Sequence, residues 1–279
     1  MKTLNQYIQE KLIINQRFDE KLIINKDYHY DKIVVKTFDE LKKIIKYRYK
    51  KLGPGTKQKP IDFNDIDVSN INSFCNNKGK GIFEITKFKY IDISDWNVSN
   101  VESMRHMFYW CNELESVGDL SNWDVSKVTD MVSMFFACEE LKEVGDISKW
   151  DVSKVTNMRE MFKGCVSFNQ DVSGWDVSKV FDMSHMFADC KKFNQDISGW
   201  NVSEVMYMGY MFDRCGNFNQ NISSWNVSKV YDMEYMFYDC KTFNKDISKW
   251  DVSKVIYIHH IFDNCPIKEE YKPKFNQYI

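Results

Sequence analysis

Sulfur-containing side chains are the first candidates for chemistry in this sequence. The chain has 8 cysteines and 14 methionines among 279 residues, and such side chains can form disulfides or bind soft metal ions. Seven cysteines recur at one position, three residues after a Met-Phe or Ile-Phe pair: Cys111, Cys138, Cys165, Cys190, Cys215, Cys240 and Cys265. Side chains stacked in this way point in one direction, and no C-x2-C pair accompanies them. The pattern therefore predicts buried free thiols, no metal site and no cofactor.

The methionines and a recurring serine invite two further interpretations. Six Met-x-x-Met pairs could form a soft-metal surface, but the last repeat replaces the pair with Ile258 and Ile261, which keeps the volume and loses the sulfur. Core packing therefore explains the pairs better than ligation. The serine of each Val-Ser-x-Val phrase, such as Ser178, has no recurring His or Asp partner and is typical of a helix N-cap rather than a nucleophile. We predict no catalytic residue and no enzyme activity.

These residues belong to a repeat that is marked by tryptophan. The repeat reads I-S-x-W-[DN]-V-S-x-V-x-x-M-x-x-M-F-x-x-C, and its tryptophans follow one another at 27 or 25 residues: Trp96, Trp123, Trp150, Trp175, Trp200, Trp225 and Trp250. A fixed period of this length indicates a solenoid. Val172, Trp175 and Val177 have the L-x-x-L-x-L spacing of a leucine-rich-repeat strand, and Val180 to Cys190 follow helical spacing. We therefore predict an α/β leucine-rich-repeat solenoid with one short strand and one short helix per coil.

The repeat resembles a known family. The phrase Trp-Asp-Val-Ser-Lys-Val-Thr-Asp-Met-x-x-Met-Phe, nearly verbatim at Trp123 and Trp150, is similar to the BspA-type leucine-rich repeats, and the resemblance covers residues 91–265. Members of that family are non-enzymatic recognition surfaces that are often anchored outside the cell, so the resemblance implies a binding function. The first residues also look like the short N-terminal openings of proteins encoded by phages of gut bacteria.

The chain divides into three parts. Residues 1–60 are predicted to be a helical or α+β cap or docking segment, residues 61–265 a solenoid of seven clear coils and one degenerate first coil, and residues 266–279 a C-terminal cap. The first 25 residues could either cap the stack or dock to a partner through an amphipathic helix bearing Leu4, Tyr7, Ile8 and Leu12. A capping box, Thr37 to Glu40, predicts a helix that ends at Gly53.

Two sets of side chains are candidates for ligand binding. Outward positions of the predicted strands would form a polar row on the concave surface: Asn97, Asp124, Asp151, Asp176, Asn201, Asn226 and Asp251. Its three consecutive carboxylates should repel one another unless they are solvated, paired or bridged by a cation. On the predicted helix and loop side, aromatic residues vary from coil to coil: Tyr109, Trp110, Phe181, Tyr207, Tyr210, Tyr231, Tyr235 and Tyr238. Variable positions on a constant scaffold are where specificity is expected.

Charge and hydropathy restrict the classes of partner that the chain is expected to bind. The 38 basic and 40 acidic residues are interspersed and give a net charge of −2, which predicts no nucleic-acid binding. The sequence shows no apolar signal-peptide core and no apolar run long enough to insert in a membrane, so we expect a protein that stays in the cytoplasm or is incorporated in a virion. The first hypothesis is a binding module for a protein or a glycan. The alternative is a structural component of a larger assembly, such as a phage particle, that docks through its N-terminal segment.

Overall fold

The computed structural model describes residues 32–275. Regular elements are concentrated at the N-terminal end: β1 (Ile33–Val34), α1 (Phe38–Leu52), β2 (Ile61–Asp62), β3 (Ile66–Asp67) and β4 (Ile91–Asp92). Strand β1 pairs in parallel with β3, and β2 pairs in parallel with β4. Two short 3-10 helices follow, Ile147–Lys149 and Glu269–Tyr271. The candidate docking residues Leu4, Tyr7, Ile8 and Leu12 lie outside the described residues. Across residues 32–275 no helix has the length and apolar character needed to cross a membrane.

Helix α1 begins and ends where its sequence predicts. The backbone N–H of Glu40 donates to Thr37 Oγ1 at 3.2 Å, and the Glu40 carboxylate accepts from the Thr37 N–H at 3.2 Å. These reciprocal bonds are the predicted capping box. Gly53 ends the helix with a φ of 76°, a backbone conformation that costs glycine little. The helix buries Leu41 and Ile44 in the same core as the repeats.

A lysine of α1 donates hydrogen bonds to backbone carbonyl groups of the first coil. Lys42 Nζ donates to the carbonyl oxygens of Gly81 at 2.8 Å and Ile82 at 2.5 Å. In the next coil, the carbonyl that corresponds to Ile82 is that of Met107, which accepts the N–H of Phe83 from the preceding coil. Burial lowers the pKa of Lys42 to about 8. The ammonium thus satisfies a carbonyl that has no preceding coil to pair with.

Successive repeats are joined by a parallel backbone ladder. One bridge recurs along the stack, at the residue before the first methionine or the Phe or Ile that replaces it: Ser73, Ser103, Asp130, Asn157, Asp182, Tyr207, Asp232 and Tyr257. Around it, alternate N–H groups of each repeat donate to carbonyl groups of the following repeat. In the repeat at Trp175 the donors are Met183, His185, Phe187 and Asp189, with N–O distances of 2.7–3.0 Å. Backbone hydrogen bonds therefore join equivalent positions of successive repeats along the stack.

The segment with helical spacing is a pair of turns and not a helix. The N–H of Met186 donates to the Met183 carbonyl at 3.1 Å, and that of Cys190 donates to the Phe187 carbonyl at 2.9 Å. The third residue of each turn has a left-handed φ of 52–60°, at His106, Trp110, Ser133, Ala137, Glu160, His185, Asp189, Tyr210, Arg214, Tyr235, Asp239, His260 and Asn264. A right-handed helix requires a negative φ at every residue. The expected helix differs from the structure because consecutive four-residue turns bring Met, Phe and Cys inward at the same three-to-four-residue spacing.

The L-x-x-L-x-L segment is likewise built of turns rather than the expected strand. The N–H of Trp175 donates to the Val172 carbonyl at 3.2 Å, and that of Val180 donates to the Val177 carbonyl at 2.9 Å. Contact with the preceding repeat is made by the indole, since Trp175 Nε1 donates to the Ile147 carbonyl at 2.8 Å. The same bond recurs at 2.8–3.3 Å for all the repeat tryptophans: Trp96, Trp123, Trp150, Trp175, Trp200, Trp225 and Trp250. The backbone ladder thus lies in the half of the repeat that was predicted to be helical.

One continuous core runs through the stack. Each repeat buries its Trp, Val, Met, Phe and Cys side chains, and successive Met-Phe phenylalanines stack face to face, with centroid distances of 5.2 Å for Phe108 and Phe135 and 6.0 Å for Phe187 and Phe212. Cysteines add a second side-chain ladder, in which Cys190 Sγ donates to the Phe162 carbonyl at 3.0 Å. All eight cysteines are free and six are buried. Of the seven repeat cysteines predicted to be buried, Cys265 in the last repeat is only half-buried, so the prediction holds for the other six.

A third ladder is made by asparagines at the turn that leads to the next repeat. Asn169 Oδ1 accepts the N–H of Asn194 at 2.9 Å, and Asn194 Oδ1 accepts that of Asn219 at 2.9 Å. Asn219 Oδ1 accepts the N–H of Asn244 at 3.1 Å, and Asn244 Oδ1 accepts that of Lys268. The segment after the last repeat therefore continues the ladder.

A glycine substitution at a left-handed turn position tests the turn conformation through its effect on stability. Asp239 has a φ of 56°, and Gly164 stands at the same repeat position with a φ of 76°. We expect Asp239→Gly to leave the unfolding free energy unchanged or to raise it by up to about 1 kcal/mol, because glycine removes the strain of a side chain at positive φ. Urea unfolding of the purified protein measures the change.

The matched control is Lys179→Gly, at an exposed position without a positive φ, where glycine should cost about 0.5–1 kcal/mol. A loss of about 1 kcal/mol in Asp239→Gly, the usual cost of glycine inside a helix, would contradict the turn conformation.

Candidate binding surface

The predicted polar row has a local structural role in every repeat. All its members are exposed: Asn97, Asp124, Asp151, Asp176, Asn201, Asn226 and Asp251. In each, Oδ1 accepts the backbone N–H of the serine two residues later, at 3.0–3.2 Å. This geometry is an Asx turn, which Asp and Asn form equally well. The capping role predicted for the serine thus belongs to the Asp or Asn two positions earlier. Because both residue types can accept this bond, Asp and Asn exchange freely along the row.

Hydrogen bonds from serine also stabilise the charged form of carboxylates in the row. The Ser178 hydroxyl and backbone N–H lower the pKa of Asp176, and Ser126 and Ser253 act in the same way on Asp124 and Asp251. Donors that bind the charged form stabilise it without a cation. Within residues 32–275 no three His, Cys, Asp or Glu side chains gather in a way that could hold a metal ion.

The variable aromatic residues fall into three groups on the ladder side of the stack. The first group lies near the N-terminal end. The rings of Tyr109 and Phe136 stack at a centroid distance of 4.7 Å, and Trp110 lies 5.8 Å from Phe136. Lys163 Nζ is 5.7 Å from the Phe136 ring. Trp110 is half exposed and has a left-handed backbone, so it presents a large apolar surface beside other aromatic rings.

The second group is a column in the last four repeats. His185, Tyr210, Tyr235 and His260 occupy one repeat position, and successive ring centroids are 4.4–4.7 Å apart. Tyr238 joins its edge, 5.4 Å from Tyr235. Burial lowers the pKa of His185 to about 4, and the nearby Lys163 acts in the same direction. His185 is therefore neutral at neutral pH.

The third group lies two positions before the first methionine of the repeat. Phe181, Met206, Tyr231 and Ile256 follow one another there, and we call these four residues the apolar row. Tyr207 and Tyr257 flank it. The hydrogen bond that the Tyr231 hydroxyl donates to Tyr207 is the main cause that raises the pKa of Tyr231 to about 12.

Sequence reasoning selected the tyrosines of these groups and missed Met206, Ile256, His185 and His260. Because the structure aligns equal repeat positions, all side chains at one position form one column, whatever their type. Alignment of the repeats by position, instead of selection by aromatic character, was the signal that could have found them.

One buried carboxylate stands apart from these groups. Asp213 is 6% exposed, and among the described residues its Oδ1 has no hydrogen-bond partner. Its Oδ2 lies 3.4 Å from Arg214 Nη1. Burial raises the pKa of Asp213 to about 6. In the preceding repeat, Ala188 occupies the same position, so the fold does not need a carboxylate here.

A comparison with protein-family models identifies the family of the chain. The family described as "Mycoplasma protein of unknown function, DUF285" matches residues 77–190 and 169–275. Together these segments cover more than half of the chain, so the protein belongs to this family of BspA-like repeat proteins, in agreement with the resemblance seen in the sequence. The two matches overlap at residues 169–190, as a chain of near-identical repeats allows. No curated protein matches the chain.

Asx turns give a prediction for the polar row. We expect Asp176→Ala to lower the unfolding free energy by about 0.5–1.5 kcal/mol, because the Ser178 N–H loses its acceptor. Asp176→Asn should be close to neutral at pH 7, since Asn201 makes the same bond one repeat later. Urea unfolding at pH 7 compares the two variants, and equal losses would contradict the role of Oδ1.

The contribution of Asp176 to the unfolding free energy also depends on pH in the acid range. Its folded-state pKa is lowered, so its contribution is present above the unfolded pKa of about 4 and is lost as pH falls through the lower folded value. Asp176→Asn should therefore lose less stability than the wild type between about pH 4 and 2. The difference will be a few tenths of a kcal/mol, because the group is exposed.

For Asp213 we predict a pH dependence of stability with the opposite sign. Its folded pKa of about 6 is above the unfolded value of about 4, so the charged form destabilises the fold, and stability should rise as pH falls from about 7 to 4. Asp213→Ala should remove this slope and raise the unfolding free energy at pH 8 by roughly 1 kcal/mol. Urea unfolding across this pH range measures both effects.

The control is Asp263→Asn, at the same repeat position but exposed. It should retain the slope. An unchanged slope in Asp213→Ala would show that this carboxylate is not its source.

Proposed function

We propose that this chain is a non-catalytic recognition module that binds a protein partner through the ladder side of its repeat stack. The observation that carries the proposal is the contrast between constant inward and variable outward positions within the same turns. Met186 and its equivalents stay apolar and buried, whereas the residue just before them is His, Ser, Glu or Tyr. A constant core leaves the outer side chains free to define specificity without a change of fold.

The arrangement of the rings favours a protein over a glycan. Sugars bind aromatic residues through the open face of the ring, but in the His185, Tyr210, Tyr235 and His260 column each ring covers its neighbour at 4.4–4.7 Å. What remains exposed are ring edges and hydroxyl groups. Tyrosine and tryptophan in contact with other aromatics, as at Tyr109 and Trp110, are typical anchors of protein interfaces.

The same reasoning supports a scaffold and not an enzyme. Asp and Ser side chains are paired in nearly every repeat, and Ser148 with Asp146 and Ser248 with Asp246 form the same bond at 2.6 Å at one repeat position, so these pairs serve turns that recur along the stack. We further propose that the stack is a leucine-rich-repeat type of solenoid in which pairs of turns replace the helix of each coil.

A binding screen with the full chain tests the proposed function. The chain, labelled with a fluorophore, is applied to a displayed protein library and to a glycan array. We expect saturable binding to protein ligands that Trp110→Ala weakens by about tenfold or more, because Trp110 offers a half-exposed ring beside Tyr109 and Phe136.

Leu52→Ala is the matched control, because Leu52 is exposed to 52% and Trp110 to 50%, and Leu52 lies in α1. It should bind as the wild type does. Saturable binding to glycans only, or protein binding that Trp110→Ala leaves unchanged, would contradict the proposal.

A further inference from the structure

We propose that the apolar row is the docking site for an amphipathic helix of the protein partner, and that this helix carries acidic residues along one flank. The inference rests on the proposed function and names a position on the surface and the chemistry of the ligand.

The apolar character of the row is not needed for folding. At the same repeat position, the first three repeats carry Glu102, Thr129 and Thr156, and the last four carry the apolar row. The exposed fractions are 40% for Phe181, 41% for Met206 and 46% for Ile256. Since equivalent repeats fold with polar residues here, the switch to large apolar side chains serves contact with something other than the chain's own core.

The row is a straight ridge along the stack. The N–H of Met206 donates to the Phe181 carbonyl at 2.9 Å, that of Tyr231 to the Met206 carbonyl at 3.1 Å, and that of Ile256 to the Tyr231 carbonyl at 2.9 Å. Hydrogen-bonded backbones lie about 4.8 Å apart, so the four side chains span about 14 Å.

This spacing selects a helix as the occupant. An α-helix places one side chain per turn on a face, about 5.4 Å apart. An extended strand places same-face side chains about 6.7 Å apart. The helix differs from the spacing of the row by about 0.6 Å per step and the strand by about 1.9 Å. A helix that lies along the stack can therefore contact all four rungs, as in helix-in-groove recognition.

Side chains next to the row broaden the contact on one side. The Tyr231 ring centroid lies 4.8 Å from that of Tyr207 and 5.9 Å from that of Tyr257. Tyr257 is 47% exposed. These rings widen the apolar row at two of its four rungs, and Asp182 and Asp232 occupy the same position at the other two.

Lysines on the other side define the charge of the partner. Lys179, Lys229 and Lys254 lie two residues before Phe181, Tyr231 and Ile256. Lys229 pairs with Glu204 at 2.7 Å. Lys179 and Lys254 are exposed and form no ion pair with another residue of the described chain. Acidic side chains along the facing flank of the helix would complement them, and basic ones would be repelled.

The test uses synthetic helical peptides and the full-length chain. An alanine-based peptide of about 16 residues, long enough to span the row, carries four leucines on one stripe, glutamates along one flank and a fluorophore. A companion peptide has lysines in place of the glutamates. Fluorescence anisotropy measures the affinity of each. We expect the glutamate peptide to bind about tenfold or more tightly than the lysine peptide, and less tightly at high salt.

A triple variant tests the position. Phe181→Thr, Met206→Thr and Ile256→Thr together introduce the residue type that Thr129 and Thr156 already supply at this position, so the fold should be retained, and circular dichroism and urea unfolding check this. We expect about tenfold or greater loss of affinity for the glutamate peptide. Leu52→Thr, another exposed apolar residue, is the matched control and should bind as the wild type does.

Three outcomes would overturn the inference: equal affinity for the two peptides, wild-type affinity in the triple variant, or self-association of the wild type that the triple variant abolishes in sedimentation velocity. The last would make a second copy of the chain the occupant. These failures are distinct from failure of the proposed function, because protein binding lost in Trp110→Ala would still support a recognition module.

Discussion

The structure depends on the hydrogen bond that each repeat tryptophan makes to the repeat before it. A buried indole N–H without an acceptor costs about 1–3 kcal/mol, and here the acceptor is the carbonyl three residues before the preceding tryptophan, as when Trp200 Nε1 donates to Val172 at 3.0 Å. This bond fixes the register of one coil on the next. The backbone ladder and the cysteine thiol bonds then follow on the opposite side of the same coil.

Fixed register converts sequence position into surface position. Side chains at the same place in consecutive repeats lie on neighbouring rungs, so a change of residue type at one place produces a column with its own chemistry. The switch from Thr156 to Phe181 begins the apolar row, and that from Glu160 to His185 begins the aromatic column. Because neither position contributes to the core, the outer surface can change along the stack while the inner ladders remain the same. This separation is what makes a recognition role physically reasonable for the chain.

The period, the core residues and the helix α1 could be predicted from the sequence, because tryptophan spacing and the Thr37 to Glu40 capping box are local signals. The conformation within a repeat could not. Met-x-x-Met-Phe-x-x-Cys has the spacing of a helix face and also that of consecutive turns, and only the positive φ at residues such as Glu160 and His185 distinguishes them. Residue types that favour a positive φ, such as Gly164, Asp239 and Asn264, share these positions with Glu160 and Tyr210, which give no sign of it. The hydrogen bonds of the polar row to serine N–H groups likewise could not be predicted, because Asp and Ser at this spacing occur both in turns and on open polar surfaces.

Hydrogen exchange of the tryptophan indole protons, followed by NMR, tests the register-setting bond most directly. The chain has 8 tryptophans: seven donate to the preceding repeat, and Trp110, which is half exposed, is an internal reference. We predict seven slowly exchanging indole N–H signals and one that exchanges rapidly. Rapid exchange of Trp150, Trp175 or Trp200 at the rate of Trp110 would show that the indoles do not hold the repeats together.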